Sequence, residues 1–276
     1  MEIQFASLDE TATRFTLSGA SPAFANAMRR AMISDVPTLA IEDVRIYDNT
    51  SALFDEMLAH RLGLIPIRTD LDTYVARENC SCGGAGCPGC TVTFTLSAEG
   101  PRTVTSGDLI PQDVKTVPVS DNIPIVKLTK GQKLVLEARA VLGTGKDHAK
   151  WQATLVCGYK NHPAIAITDA CDACGMCVDE CPRDILVIKG KKVEIAAGKL
   201  PDCSLCRLCE RACISTGIGE EPAIRVSAEP DRFIFVAESD GSLSVNDILQ
   251  RALQHIKGQS DELEQKIREI SGDDKE

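Results

Sequence analysis

The sequence reads CDACGMCVDECP at residues 171–182 and CSLCRLCERAC at residues 203–213, so one cysteine spacing, C-x2-C-x2-C-x3-C, occurs twice. Three thiolates spaced by three residues, with a fourth further along, suit a cubane iron–sulfur cluster that takes its fourth ligand from elsewhere. Zinc is the alternative, although its usual arrangement is two C-x2-C pairs separated by a longer loop. The doubled spacing favours two [4Fe–4S] clusters.

The segment between the two copies predicts a β-hairpin. Residues Asp184–Ile188 and Lys192–Ile195 flank a turn at Lys189-Gly190. This arrangement resembles that of two-cluster ferredoxins, in which the fourth cysteine of each motif binds the other cluster. The resemblance implies two ligand sets, namely Cys171, Cys174, Cys177 and Cys213 for one cluster, and Cys203, Cys206, Cys209 and Cys181 for the other. Ile214 stands where ferredoxins usually have proline. This difference puts the local turn in question, but it changes none of the implied ligands.

Composition limits the class of protein. The 276 residues suffice for two or three domains, and a formal charge of −10 argues against binding nucleic acid through bulk electrostatics. Met1–Gln4 shows no signal-peptide pattern, and no apolar run approaches the roughly 20 residues of a membrane span. Thirteen cysteines grouped in metal-type clusters fit a reducing compartment. We therefore expect a soluble cytoplasmic protein.

The first part of the chain predicts a hairpin and then a helix. Alternating apolar residues on either side of Asp9-Glu10 indicate two short strands. Ser21 is a suitable N-cap and Pro22 a suitable first helical residue, so a helix is expected from Pro22 to about Asp35. Its predicted apolar stripe is Phe24, Ala27, Met28, Ala31 and Met32. Asn26, Arg29 and Arg30 fall on the opposite side, which is ordinarily a solvated face.

A strand, a second helix and another strand are predicted next. Thr38–Tyr47 has a strand pattern interrupted at Glu42-Asp43, and Leu53–Arg61 predicts a helix that ends at Gly63. Leu64–Ile67 is then expected to return to a strand. His60, at the end of this helix, has an ordinary structural explanation because a histidine there interacts with the last carbonyls.

Two blocks in this region resemble a known family. NAMRRAMISDVPTLAIEDV at residues 26–44 and NTSALFDEMLAHRLGLIPI at residues 49–67 closely resemble the D subunit of archaeal RNA polymerase. Similar stretches are found at residues 148–151 and 233–249. The family includes the third-largest subunit of eukaryotic polymerase II and, more distantly, the N-terminal part of the bacterial α subunit. The resemblance extends over nearly the whole chain.

The resemblance implies a non-catalytic assembly subunit of DNA-directed RNA polymerase. Such a subunit pairs with the small subunit L, and subunits N and P and the second-largest subunit then assemble on the pair. The implied partner-binding residues are Asn26, Arg29, Arg30, His60, Arg61, Phe233, Phe235, Leu249 and Leu253. No catalytic residue is implied, because the magnesium-binding aspartates of the polymerase belong to a different subunit. Direct contact with nucleic acid or membrane is not expected.

A third cysteine group lies at residues 80–90. Cys80, Cys82, Cys87 and Cys90 form the pattern C-x-C-x4-C-x2-C among four glycines that permit tight turns. This pattern predicts a closed tetrahedral zinc site, and eukaryotic relatives carry a similar zinc loop. The alternative is a reduced or disulfide-paired loop without metal. Either role is structural, since four protein ligands leave no open position for chemistry.

The rest of the chain predicts strands and one terminal helix. Strands are expected at Val92–Leu96, Lys133–Leu142 and Gln152–Val156, and again after Pro222. Ser244 and Asp247 form a capping pattern before the apolar stripe Ile248, Leu249, Ala252, Leu253 and Ile256. Beyond Gly258 the helix is expected to fray. Cys157, outside the clusters, is interpreted as a buried small hydrophobic residue.

The predicted fold class is α+β. Residues 1–41 and 222–276 would form an α-subunit-like dimerisation domain, with a mixed β-rich domain at 42–163 and a ferredoxin-like 2[4Fe–4S] domain at 164–221 inserted in it. The clusters would support the fold, and a sharper hypothesis is that they regulate assembly. The alternative function is a ferredoxin-like electron-transfer protein. That alternative explains only residues 171–213, and no glycine-rich dinucleotide fingerprint accompanies them.

Overall fold

The computed structural model describes residues 1–215 and 221–271 and has a mixed α and β architecture. In chain order the elements are β1 (Glu2–Leu8), β2 (Ala12–Ser18), α1 (Pro22–Ser34), β3 (Thr38–Asn49), α2 (Asp55–Gly63), β4 (Val92–Glu99), β5 (Arg102–Thr105), β6 (Ile110–Pro111), β7 (Pro124–Leu128), β8 (Lys133–Gly143), β9 (Thr154–Ile167), α3 (Met176–Asp179), β10 (Leu186–Lys189), β11 (Lys192–Ile195), α4 (Leu208–Ser215), β12 (Ile224–Ser239) and α5 (Val245–Ser271).

The described chain divides into two compact units. The first consists of Met1–Ala6, Arg14–Ala25 and Tyr159–Phe235, and the second of Ser7–Thr13, Asn26–Gly158 and the chain from Val236 onward. Both units are discontinuous in sequence. The three-domain division expected from the sequence therefore stays a prediction, since packing groups the residues by other boundaries.

The second unit contains a four-stranded antiparallel sheet in the order β3-β8-β4-β6. Ile41 of β3 and Val92 of β4 both pair with Ala140 of β8, and their side chains are buried in one core. The strand β3 has a register shift between Ile41 and Asp43, where the sequence predicted an interruption. A polar pair in an otherwise apolar strand is thus accommodated as a bulge.

Helix α2 covers this core with Leu58 and Leu62, which are fully buried. The prediction of a strand after α2, at Leu64–Ile67, is wrong. Only an isolated bridge between Ile67 and Pro118 forms there. Pro66 has no N–H to donate to a ladder, which limits pairing along this segment.

A second four-stranded sheet has the order β1-β2-β12-β9. The predicted N-terminal hairpin is confirmed, and β2 alternates between buried and half-buried side chains as a one-sided strand should. Within the first unit, Phe15 of β2 stacks on Phe235 of β12 with ring centroids 5.0 Å apart. Tyr159 of β9 packs edge-on against Phe233 at 5.5 Å. These rings form an aromatic core.

Helix α1 begins as predicted, because the backbone N–H of Phe24 donates to the Ser21 hydroxyl at 3.2 Å. The buried face of α1 differs from the predicted one. Ala25 is buried and Ala27 is exposed, so the apolar stripe is rotated from the predicted one and is centred on Met28 and Met32.

Helix α5 also begins as predicted, with the Asp247 N–H donating to the Ser244 hydroxyl at 3.1 Å. The expected fraying beyond Gly258 is wrong, since the helix continues to Ser271. The residues after Gly258 are mostly strong helix formers, and Arg268 and Glu264 form an i,i+4 ion pair. Within the described residues, none of the helices combines the length and apolarity that a membrane span requires.

Candidate metal centres and partner surfaces

The third cysteine group forms a compact cluster of thiols, which we call the Cys80 loop (Cys80, Cys82, Cys87 and Cys90). All four sulfur atoms lie within 4.8 Å of one another. The Cys80–Cys87, Cys82–Cys90 and Cys87–Cys90 sulfur pairs are 3.5, 3.6 and 3.9 Å apart. Zn–S bonds of about 2.3 Å give tetrahedral S···S edges of about 3.8 Å. The loop therefore has the dimensions of a tetrahedral metal site.

The Cys80 loop favours ionisation of one thiol, Cys82, and opposes that of another. A backbone hydrogen bond lowers the pKa of Cys80, but side-chain hydrogen bonds with Cys82 and Cys87 outweigh it and raise this pKa to about 12. A hydrogen bond from the backbone N–H of Cys87, with further contributions from Cys80 and Gly86, lowers the pKa of Cys82 to about 5. Gly83, Gly84 and Gly86 have positive φ angles and make the tight turns that the sequence predicted. The four thiols are free, so the disulfide-paired alternative does not describe this loop. Thiolate is the form of cysteine that binds metal.

The paired cysteine motifs contribute to two separate cavities. We call the first site A (Cys171, Cys174, Cys177 and Cys213). These four residues line one cavity together with apolar residues that include Ile167, Val193 and Ala223. Three of the cysteines come from the first motif, and the fourth comes from the end of the second. The structure thus brings together the set that the ferredoxin resemblance implied.

The second cavity is lined by site B (Cys181, Cys203, Cys206 and Cys209). Ile165, Ile185, Leu186 and Val226 surround these cysteines. Here too, three cysteines come from one motif and the fourth from the other. Arg183 and Arg207 also line this cavity. Its four sulfur donors suit a soft metal or an iron–sulfur cluster.

Both motifs have the same unusual backbone conformation. Ala173 and Leu205, which precede the second cysteine of each motif, have φ angles of 60° and 59°. Gly175 and Arg207, which follow that cysteine, have φ angles of 85° and 59°. Non-glycine residues rarely adopt this left-handed conformation, which concentrates at functional sites. The sequence repeat is therefore also a structural repeat.

The innermost thiols of the two cavities resist ionisation. Burial raises the pKa of Cys177 to about 11, with further contributions from Cys171, Cys174 and Cys213. Burial likewise raises the pKa of Cys209 to about 11, and its cysteine neighbours in site B add to this rise. A metal that binds these thiols must displace their protons, so metal affinity should fall as the pH falls.

Two basic residues near site B were missed by the sequence reasoning. Lys160 of β9 donates from Nζ to the carbonyl of Cys203 at 2.8 Å. Arg14 of β2 donates to the Pro201 carbonyl at 3.1 Å and to Asp202 Oδ1 at 2.7 Å. These contacts join the loop before site B to two strands of the sheet. No local pattern marks either residue, because each contact spans a long stretch of sequence.

The predicted partner residues on α1 and α2 have different environments. Asn26 and Arg30 are exposed, whereas Arg29 is half-buried and donates to Asn26 Oδ1 at 3.1 Å. His60 is exposed. Arg61 donates to the carbonyls of Ile125 and Pro124 at 2.8 and 2.5 Å, so its guanidinium supports the attachment of α2 to β7.

The predicted partner residues near the C-terminus differ in accessibility. Phe233 and Phe235 are 1% and 0% exposed, so in the single chain their rings belong to the core. Leu249 is buried and Leu253 half-buried on α5. Cys157 is half-buried, and its thiol contacts the Met32 sulfur at 3.8 Å. Burial raises the pKa of Cys157 to about 11, although the residue is less buried than the sequence predicted.

Comparison with known proteins adds to this geometry. A family model described as "RNA polymerase Rpb3/RpoA insert domain" matches residues 44–158, which contain the Cys80 loop, strands β4, β6 and β8, and the second half of β3. This match places the second unit's sheet in a class of RNA polymerase domains.

Curated relatives resemble the chain over almost its full length. It is 51% identical over 264 residues to DNA-directed RNA polymerase subunit Rpo3 of Methanosarcina acetivorans, which covers 95% of this chain and 97% of the relative. Subunit Rpo3 of Methanosarcina mazei is 53% identical, with the same coverage of both chains. Subunit Rpo3 of Archaeoglobus fulgidus is 42% identical, and the match covers 98% of each chain. The chain belongs to the archaeal DNA-directed RNA polymerase subunit Rpo3 family. This finding confirms the resemblance seen at residues 26–44 and 49–67.

Proposed function

We propose that the chain is a non-catalytic assembly subunit of DNA-directed RNA polymerase in the reducing cytoplasm, and that it pairs with the small subunit L. Family membership supports a place in the polymerase. The observation that carries the pairing is an apolar face along α5, whose C-terminal half the single chain leaves uncovered.

The face on α5 follows a heptad pattern. Successive positions are separated by four and three residues, and they are Leu249, Leu253, Ile256, Ser260, Leu263, Ile267 and Ile270. Leu263, Ile267 and Ile270 are 60%, 56% and 87% exposed. Apolar residues at this spacing form the seam of two packed helices. A helix of subunit L is the proposed occupant, whereas the buried rings of Phe233 and Phe235 would support their own sheet rather than touch the partner.

The surface proposed for the second-largest subunit lies on α1 and α2. Around His60 on α2, Phe54, Met57 and Leu64 are 75%, 52% and 53% exposed and recur at helical spacing. Uncovered apolar side chains beside polar ones are typical of protein interfaces. Asn26, Arg29 and Arg30 would contribute from α1. Subunits N and P would join the same assembly.

A change on α5 tests the pairing. Ile267→Asp should weaken binding of subunit L at least tenfold, because it places a charge in an apolar seam. Gln265→Asp, on the outer side of the same helix, should leave the affinity within about twofold, because that position lies outside the seam. Calorimetric titration of L into each variant measures both effects. Equal affinities for the two variants would refute the α5 seam.

The three cysteine groups are proposed to hold metal. Sites A and B would each bind a [4Fe–4S] cluster, and the Cys80 loop would bind zinc. Each group offers four sulfur donors, which complete the coordination and leave no position for substrate. When bound, a cluster would tie together the chain segments that carry its ligands, and ligand binding then contributes folding energy. The electron-transfer alternative leaves α5 and residues 44–158 without a role.

Elemental analysis tests the metal assignment. Anaerobically purified protein should contain about eight iron and eight sulfide per chain, and one zinc. Cys87→Ser should remove the zinc alone. Zinc without sulfide would instead support the zinc alternative for residues 171–213.

The clusters are proposed first to support the fold and second to regulate assembly. Cys174→Ser and Cys206→Ser each remove one ligand, from site A and site B. Co-purification of each variant with L and the core enzyme measures assembly, and thermal unfolding measures stability. If the variants are less stable but assemble normally and transcribe normally under oxidation, the clusters support the fold and do not regulate assembly.

A further inference from the structure

We propose that sites A and B differ in reduction potential, and that site B is reduced first because basic side chains surround it while acidic ones surround site A. This inference rests on the proposed occupancy of both sites by [4Fe–4S] clusters. It assigns a further function to charged residues beside the two sites, in addition to the structural contact that Lys160 makes.

Site B has a cationic surrounding. Arg183 and Arg207 line its cavity, and the ammonium group of Lys160 lies 2.8 Å from the carbonyl oxygen of the ligand Cys203. Arg207 has a distant carboxylate partner, Glu210, at 3.9 Å. Among residues 1–215 and 221–271, Lys160 and Arg183 form no ion pair, and the nearby carboxylate of Asp202 is paired with Arg14 at 2.7 Å. Site B is therefore next to net positive charge.

Site A has the opposite sign. Asp172 and Glu221 are the charged residues that line its cavity within the described chain. Asp172 accepts a hydrogen bond from the backbone N–H of the ligand Cys174 at 3.1 Å, which holds the carboxylate beside the ligand. Glu221 is offset in part by an ion pair with exposed Arg225 at 2.5 Å. Lys192, whose charge reaches the ligand Cys171, is paired with Asp169 at 2.5 Å. The charge of Asp172 then leaves the surrounding of site A negative.

Solvent exposure differs less between the sites than charge does. Each site has one exposed cysteine, Cys174 or Cys206, and an innermost one, Cys177 or Cys209, at 6% or 8% exposure. Site B has a second buried cysteine, Cys203, at 8% exposure. Both motifs also share the left-handed backbone positions described above. Net charge is one of the protein properties that set cluster potentials, and it has opposite signs around the two sites.

The direction follows from charge balance. A [4Fe–4S] cluster with four thiolates carries a charge of about −2 when oxidised, and uptake of one electron from a reductant makes it about −3. Nearby cations stabilise the added negative charge and nearby carboxylates oppose it, most strongly where water is excluded. Lys160 and Arg183 should thus raise the potential of site B, and Asp172 should lower that of site A.

An EPR-monitored titration with dithionite tests this inference on the full chain in complex with subunit L. Two midpoint potentials are expected. Lys160→Gln and Arg183→Gln should shift the higher one to more negative values and leave the lower one in place. Asp172→Asn should shift the lower one to more positive values. Lys266→Gln on α5 is the control, because it removes one positive charge outside sites A and B. It should shift neither midpoint potential.

Iron and sulfide content, measured for each variant, shows that both clusters are retained. A single midpoint for both sites, or two midpoints that these variants do not move, would overturn the inference while leaving the clusters themselves established. Absence of iron and sulfide from the unaltered protein would overturn the inference together with the proposed occupancy.

Discussion

Arg61 and His60 are adjacent on α2, yet they differ in what they contact. Arg61 donates two hydrogen bonds to main-chain carbonyls of β7, whereas the His60 side chain is exposed. The sequence resemblance grouped both as partner-binding residues. The structure gives Arg61 a stabilising role within the chain and leaves His60 accessible to a partner.

These two residues give a matched prediction. Arg61→Ala should lower the free energy of unfolding by about 1–2 kcal/mol, because two main-chain carbonyls lose a charged donor at a partly exposed position. His60→Ala should change it by less than about 0.5 kcal/mol, as is usual for exposed residues. Urea denaturation at constant metal content measures both. Equal destabilisation by the two changes would contradict the assigned roles.

At the residue scale, the sequence predicted the features that depend on local patterns. The cysteine spacing, the caps at Ser21 and Ser244 and the glycine turns of the Cys80 loop are of this kind. Lys160 and Arg14 could not be predicted, because their partners are 43 and 187 residues away. Sequence alone contains no signal for such a contact when the residues are ordinary strand positions.

Among the elements, β8 ends at a glycine that packs against a ring. A Cβ atom at Gly143 would lie 2.5 Å from atoms of the Trp151 ring. That ring is held in place, because Trp151 Nε1 donates to the Val141 carbonyl at 3.1 Å and the Thr38 hydroxyl donates to the Trp151 carbonyl at 3.0 Å. The close approach of this strand end to the tryptophan therefore requires glycine.

Gly143→Ala should destabilise the protein by about 1–3 kcal/mol through overpacking. Gly158→Ala in β9 is the matched control, because a Cβ atom there meets nothing within 4 Å. The control should be neutral or slightly stabilising, since alanine reduces the freedom of the unfolded chain. The chain has one tryptophan, so the fluorescence of Trp151 during urea unfolding reports on this region. Similar midpoints for both variants would show that the ring moves aside easily.

The elements also show where pattern reading fails. The hairpin β10–β11 and the starts of α1 and α5 agree with the sequence-based predictions, because turn residues and caps act over a few positions. The length of α5 does not agree, since the charged segment after Gly258 was expected to fray. Without knowledge of a partner, an apolar residue every three or four positions in a charged segment is a weak signal.

At the scale of the whole molecule, metal and fold are coupled. Oxidative loss of iron should lower the thermal unfolding midpoint, because the thiols of sites A and B would then lose their shared ligand. A chelator that removes only zinc should affect the second unit, which contains the Cys80 loop. Calorimetry with parallel metal analysis distinguishes these effects. Unchanged unfolding after loss of all iron would contradict a supporting role for the clusters.

We propose above all that this chain acts by pairing with subunit L. The most direct measurement is light scattering during size-exclusion chromatography of the full chain mixed anaerobically with L. We predict one complex whose mass is the sum of one copy of each chain. Two separate peaks from chains that circular dichroism shows to be folded would contradict it.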